Sequence, residues 1–171
     1  FWYDPDGQRF LGRSAWDVAG TQQSAVTVYL GNFEDVMPAA GGSYDRIQRT
    51  DLSGSVRQIR TRTTGGAWSS RFEYVHRDHL GSVAAVTDSA GAVQNDPLAF
   101  DPFGGRRQYD WSADITAVAL NTVLGNADER FSRGFTDHQP LDRTGFIHMN
   151  GRVYDPRIGR WSQQEPIVDA R

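Results

Sequence analysis

Cysteine and lysine are both missing from this sequence, and so is any long apolar run. Without cysteine there are neither disulfides nor thiolate metal sites, so stability has to come from packing and hydrogen bonding. No uninterrupted apolar stretch approaches the ~20 residues that a membrane-spanning helix needs. The N-terminal stretch also lacks the charged, apolar and small regions of a secretory signal, so any export signal would lie outside this chain. Without lysine, all 18 basic residues are arginines, a bias that genomic base composition explains more simply than selection for guanidinium chemistry. Set against 21 acidic residues they leave a net charge of −3 and a pI near 5.8. Such a chain has no global excess of positive charge with which to hold nucleic acid or an anionic membrane. Its 171 residues suffice for a core of their own. The abrupt ends, "FWYDPDG" and "EPIVDAR", predict a segment of a longer polypeptide.

What is present is punctuation. The runs "AVTVYLGNFE" from Ala25 and "SVRQIRTRTT" at Ser55 to Thr64 are rich in β-branched and aromatic residues or alternate apolar with polar, the signature of strands. "MPAAGGSYD" lies between them as turn material, and "TTGGAW" at Thr63 to Trp68 separates the second from "SSRFEYVHRD". "GSVAAVTDSAGAVQN" predicts a hairpin turning at Asp88, Ser89, Ala90 and Gly91. "FIHMNGRVY" carries Asn-Gly, the strongest two-residue hairpin signal. One segment breaks the rhythm. In residues 113–124, "ADITAVALNTVL", the spacing of Ile115, Val118 and Thr122 predicts a short helix or a loop insertion ahead of Gly125 and Asn126. The rest predicts an all-β chain of successive hairpins, in a sandwich, barrel or solenoid.

One element is written three times: "YDPDGQRF" at Tyr3 to Phe10, "FDPFGGRR" at Phe100 to Arg107 and "YDPRIGRW" at Tyr154 to Trp161. Each position has a structural use. The aromatic packs on a strand face, while proline fixes its own φ and drives the preceding aspartate toward extended backbone. Asp4, Asp101 and Asp155 can then bond the backbone of the turn, and Gly7, Gly104 and Gly159 supply the positive φ of the reversal. Arginine beyond the turn lies along the next strand, within reach of a carboxylate.

Two longer strings carry a resemblance. "YVHRDHLGSVAAVTDSAGAVQNDPLAFDPFGGRR" followed by "GFTDHQPLDRTGFIHMNGRVYDPRIGRWSQQEP" resembles the core-associated region of the Rhs and YD-repeat family. "FWYDPDGQRF" is similar to a single tyrosine-aspartate repeat, and "VYLGNFE" to the strand that precedes the core, which puts residues 1–24 in a repeat and 25–171 in the core region. "RDHLGS", with Asp78, His79 and Gly81, matches a structural segment of the family. Residues 109–132 are the part least like it.

That resemblance implies a fold and a role. Family members, relatives of the C components of insecticidal toxin complexes and of the teneurins, wind trains of β-hairpins into a hollow shell whose core region caps one end. Many are polymorphic toxins used in bacterial competition. They are exported by type VI secretion or another route, with a variable toxic domain enclosed. The implied partners are the remainder of the shell, an enclosed C-terminal toxin domain and secretion-system components, with no nucleic acid and no cofactor. In several members the core is also an aspartyl-type autoprotease. Its arginine falls on Arg152 here and its acid on Glu165, where "SQQEPIVDA" replaces the usual Asp-Pro-Gly. The extra methylene displaces the carboxylate by about 1 Å, a shift that costs on the order of 100-fold in a geometrically strict reaction. A structural segment that encloses a toxin is therefore expected ahead of a self-cleaving enzyme.

Three further readings come from the residues. His76 and His79 in "HRDH", with His138 and His148, offer imidazoles, but a spacing of three in extended chain sends the first two to opposite faces, so no metal site is expected. Five Trp and six Tyr would suit an adhesive module that binds a glycan or a partner, although in a packed sheet such rings are mostly core. The arginines of "RQIRTRT" fit a solvated or ion-paired strand face.

Overall fold

The computed structural model describes residues 1–6, 8–18, 21–38, 44–94, 99–115, 133–141 and 144–163. Gly7, Glu165 and residues 116–124 of the expected helix or insertion lie outside them. The described start of that segment, 113–115, is not helical and is bridged through Asp114 to Arg107.

Among the described residues the regular structure consists almost entirely of antiparallel strands. Eight of them pair in strict sequence order: β1 (Trp2–Tyr3), β2 (Arg9–Val18), β3 (Thr21–Leu30), β4 (Phe33–Pro38), β5 (Tyr44–Ser53), β6 (Val56–Thr63), β7 (Trp68–Arg77) and β8 (Val83–Thr87). A two-stranded ribbon follows, β9 (Ala99–Phe100) with β10 (Arg106–Arg107). A short 3-10 segment (Phe135–Asp137) leads into a four-stranded sheet of β11 (Gln139–Leu141), β12 (Phe146–Met149), β13 (Arg152–Asp155) and β14 (Arg160–Trp161). Contacts divide the chain into two compact units. One consists mainly of Phe1–Val75 and Val86–Gln94, the other mainly of His76–Ala85 with the described residues beyond 99.

Local turn chemistry accounts for the pairing. The strand expected to run through "AVTVYLGNFE" is two strands: Gly31, at φ 61°, and Asn32 form a two-residue reversal that pairs Leu30 with Phe33. Gly-Asn is itself a hairpin signal, masked in the sequence by its β-rich surroundings. At Asn150 (φ 44°) and Gly151 (φ 94°) both central residues are left-handed, the type I′ geometry that matches strand twist and sets Met149 opposite Arg152.

In the first unit the register decides what is buried. Ala25, Val36, Ile47 and Ile59 form the core of the sheet, with Tyr44 packed against them. The same face carries charge: Glu34 stands opposite Arg49, and Arg57 opposite both Asp51 and Glu73. Arg49 lies 3.5 Å from Glu34 with both side chains under a tenth exposed, Arg57 lies 2.7 Å from Asp51, and Arg71 lies 3.0 Å from Glu73. Three arginines thus face three carboxylates across four adjacent strands. On the opposite face Arg46 pairs with Asp35 and Arg62 with Asp45, while Arg60 and Arg62 lie over the ring of Trp68. The arginines of "RQIRTRT" therefore divide by parity, Arg57 buried and ion-paired, Arg60 and Arg62 outward.

Candidate functional site

In the second unit, strings that are distant in sequence meet. Asp78, opening the turn after β7, accepts hydrogen bonds through Oδ1 from the backbone N–H groups of Leu80 and Ser82, both at 2.8 Å. Its own N–H donates to the Ser82 carbonyl, and the Gly81 N–H donates back to the Asp78 carbonyl. Asp101 repeats this with Phe103 and Gly105, and in the first unit Asp88 does so with Ala90 and Ala92, and Asp4 with Asp6 and Gln8. Four reversals thus share one device, an aspartate whose oxygen stands in for a backbone carbonyl.

The repeating unit is Asp-x-x-Gly, a spacing legible in the sequence but hidden there by the more conspicuous Asp-Pro. By that criterion "DHLG" and "DSAG" join the first two copies and "DPRIG" leaves them. Gly159 is four residues beyond Asp155 instead of three. The Asp155 carboxylate is clamped by Arg157, whose backbone N–H, Nε and Nη2 all donate to it at 2.8–3.0 Å. Those hydrogen bonds hold the Asp155 carboxyl below the ordinary aspartate range.

Because Asp101 chelates its turn, Asp101→Ala should cost about 1 kcal/mol, the usual net worth of a lost hydrogen bond. Asp101→Asn, which keeps an acceptor oxygen, should cost less than half of that in urea denaturation.

The interior of this unit joins the motifs. The Phe100 and Phe135 rings lie 5.8 Å apart, and Tyr154 stands opposite Ile147 and packs edge-on to Trp161 at 5.7 Å. Burial pushes the Tyr154 hydroxyl above its ordinary pKa, and the charges of Asp101 and Asp155 add to the shift. Gly104 sits against Phe135 and Ile147 so closely that a side chain would collide with both.

The "RDHLGS" and "GFTDH" strings interlock. Arg77 Nη1 donates to Asp137 Oδ1 at 2.7 Å and to the Gly81 carbonyl at 3.0 Å. The fully buried Ser82 accepts from the Thr136 N–H, and the Val83 N–H donates to the Gly134 carbonyl. Spacing gave no sign of this, since the partners stand more than fifty residues apart.

Of the two residues singled out as catalytic, Arg152 alone is among the described residues. Arg152 opens β13 with its guanidinium 4.3 Å from the centre of the Trp161 ring, a cation–π contact that braces β13 against β14. Its expected partner Glu165 lies outside the described residues. His76 is exposed on β7, while His79 is exposed in the Asp78 turn, not on the strand. His148 is buried, and His138 Nδ1 lies 2.9 Å from the Thr136 hydroxyl. No group of three or more His, Asp or Glu side chains converges on a metal position among the described residues.

Burial, reinforced by the positive charge of Arg133, lowers the His138 pKa in the folded chain. A depressed pKa means that the unfolded chain takes up the proton first. The resulting stability is complete above the unfolded value of ~6.5 and is lost as pH falls toward the folded value. Urea midpoints taken between neutral and mildly acidic pH should fall, and His138→Gln should flatten that part of the slope.

With this geometry in view, the solved structures show what the fold is. The chain superposes on the crystal structure of TcdB2-TccC3 with a TM-score of 0.69 at 20% identity, over 96% of its own length and 8% of that chain. The same complex without its hypervariable C-terminal region gives the same TM-score over 7% of that chain. The fold is of the Rhs/YD-repeat type. The chain is also 26% identical over 183 aligned residues to Double-stranded DNA deaminase toxin A of Burkholderia cenocepacia (strain H111). That match spans 98% of this chain and 12% of the toxin, so the deaminase activity is a statement about the toxin as a whole. No family model matches the sequence.

Proposed function

We propose that this chain is a structural segment of an exported bacterial Rhs-type shell that encloses a C-terminal effector. The observation that carries the proposal is the correspondence of 96% of the chain to a small part of a toxin-complex component. A sheet of eight strands paired in sequence order suits the wall of a container. In the described sheets β1 and β14 are edge strands, ready to be extended by neighbouring hairpins. Electron microscopy of a longer polypeptide carrying this segment and its C-terminal domain should show a closed hollow particle with density inside. The isolated 171 residues should associate through their strand edges. A stable, monodisperse monomer would overturn the proposal in favour of an independent domain.

Release of the effector by self-cleavage falls, under the same proposal, to Arg152 and Glu165. Intact mass of the longer polypeptide reads it out: Glu165→Ala should leave it uncut, and unchanged cleavage would remove that role.

The outward face of β6 and β7 favours a second reading, a surface for a partner. Trp68, Phe72 and Tyr74 are each more than a third exposed on one face of β7, beside Gln58, Arg60 and Arg62 of β6. Phe72→Ser together with Tyr74→Ser should abolish capture of the effector domain if this face holds it, and leave capture unchanged if it does not.

A further inference from the structure

Two adjacent residues without the freedom of glycine hold left-handed backbone in the "GFTDH" loop. Thr136 has φ 47° and ψ 36°, and Asp137 has φ 61°. The His138 N–H donates to the Phe135 carbonyl at 2.9 Å, closing a tight reversal whose central positions ordinarily suit Asn and Gly. A β-branched residue there is an outlier that costs on the order of 1–3 kcal/mol and has to be held by its surroundings. Ser82 and Arg77 do the holding.

What threonine brings to this position is its hydroxyl. Oγ1 donates to the carbonyl oxygen of Phe135, the residue whose peptide it follows, at 2.9 Å, and lies 2.9 Å from His138 Nδ1, to which its proton can turn when that nitrogen is unprotonated. That carbonyl oxygen already receives the backbone N–H of His138, and the nitrogen of the same peptide, Thr136 N, donates to Ser82 Oγ at 3.1 Å. One peptide bond is therefore surrounded by a nucleophile, a base, a donor to its carbonyl oxygen and a hydroxyl at its nitrogen.

We propose that the Phe135–Thr136 peptide is a self-processing site, separate from Arg152 and Glu165, at which the chain undergoes an N-to-O acyl shift. Thr136 Oγ1 adds to the Phe135 carbonyl carbon and gives its proton to His138 Nδ1, while the His138 N–H stabilises the oxyanion. The C–N bond then breaks and the nitrogen takes the proton back, leaving Phe135 esterified to Thr136 Oγ1 with a free amine on Thr136. Water hydrolyses the ester to a Phe135 carboxylate and a free Thr136 hydroxyl, so no oxidant or cofactor takes part. Cleavage of the bond releases the backbone from the left-handed constraint, which raises the ground state toward the transition state. The lowered pKa of His138 keeps its imidazole neutral near neutral pH, the form that accepts the proton.

The test is intact mass of the purified chain at neutral pH with and without hydroxylamine, which attacks esters and spares ordinary amides. The expected products are residues 1–135 and 136–171, with a hydroxamate on Phe135 when hydroxylamine is present and a faster yield. Thr136→Val, isosteric but without the hydroxyl, should abolish cleavage, and Thr136→Ser should retain it. His138→Gln should slow it by ~100-fold or more, as loss of a positioned base does. Thr136→Asn, suited to left-handed backbone, provides a folded control without the hydroxyl, with native amide exchange as the check. Folded wild-type chain that stays intact in hydroxylamine overturns the proposal, and so do the same fragments from folded Thr136→Val or Thr136→Asn.

Discussion

Arg49→Ala is expected to destabilise the chain by about 3–5 kcal/mol, the cost of leaving a buried carboxylate without its partner. Glu34 loses the guanidinium at 3.5 Å and stays under a tenth exposed between β3 and β5. Replacing both residues with methionine should by contrast be neutral or stabilising, because the desolvation cost of both ions disappears with their attraction. The pair therefore serves register more than stability. A one-residue slip of β5 against β4 would turn Ile47 outward and set Arg49 away from Glu34, so aliphatic and ionic rows select the same alignment. Urea denaturation read by amide exchange in β4 to β6 measures both variants. An alanine variant within about 1 kcal/mol of wild type would show that water reaches Glu34 in solution.

Gly104→Ala should be comparably damaging for a different reason. Gly104 has φ 93°, and a Cβ there would stand 2.6 Å from Phe135 Cδ1 and 2.9 Å from Ile147 Cδ1. Strained backbone and overpacking together cost about 2–5 kcal/mol. The neighbouring contacts leave little room to give, since Phe135 is packed on Phe100 and Ile147 is paired with Tyr154. Ile147→Val removes one of the two clashing atoms and should recover only part of the loss, because the Phe135 clash and the positive φ remain. Melting temperatures of the three variants separate these contributions. Full recovery by Ile147→Val would mean that the backbone at residue 104 costs nothing.

The two variants probe unlike parts of the chain. Arg49 and Glu34 are held by sheet register, a regular alignment that alternation in "VRQIRTRT" and "RFEYVHR" already outlines. Gly104 is held by contacts with residues some thirty to forty positions further on, for which the sequence has no period. The Asp-x-x-Gly spacing explains why it is a glycine, through its φ, and says nothing about the aromatic ring above it.

The sequence by itself determined the β class, the positions of the reversals and the resemblance to Rhs-type proteins, because strand alternation and turn chemistry act over a few residues. A turn at Asp101 or at Asn150 needs only its own aspartate, asparagine and glycine. Tertiary structure alone decided which face of each strand is buried, so that Arg57 and Arg60, three residues apart, meet a carboxylate and a tryptophan ring respectively. It alone decided that "RDHLGS" closes on "GFTDH", setting the Ser82, Thr136 and His138 side chains around one peptide bond. The physical reason is range. Hydrogen bonds within a turn are written in adjacent residues, whereas burial, ion pairing and backbone strain depend on partners that only the folded chain brings together.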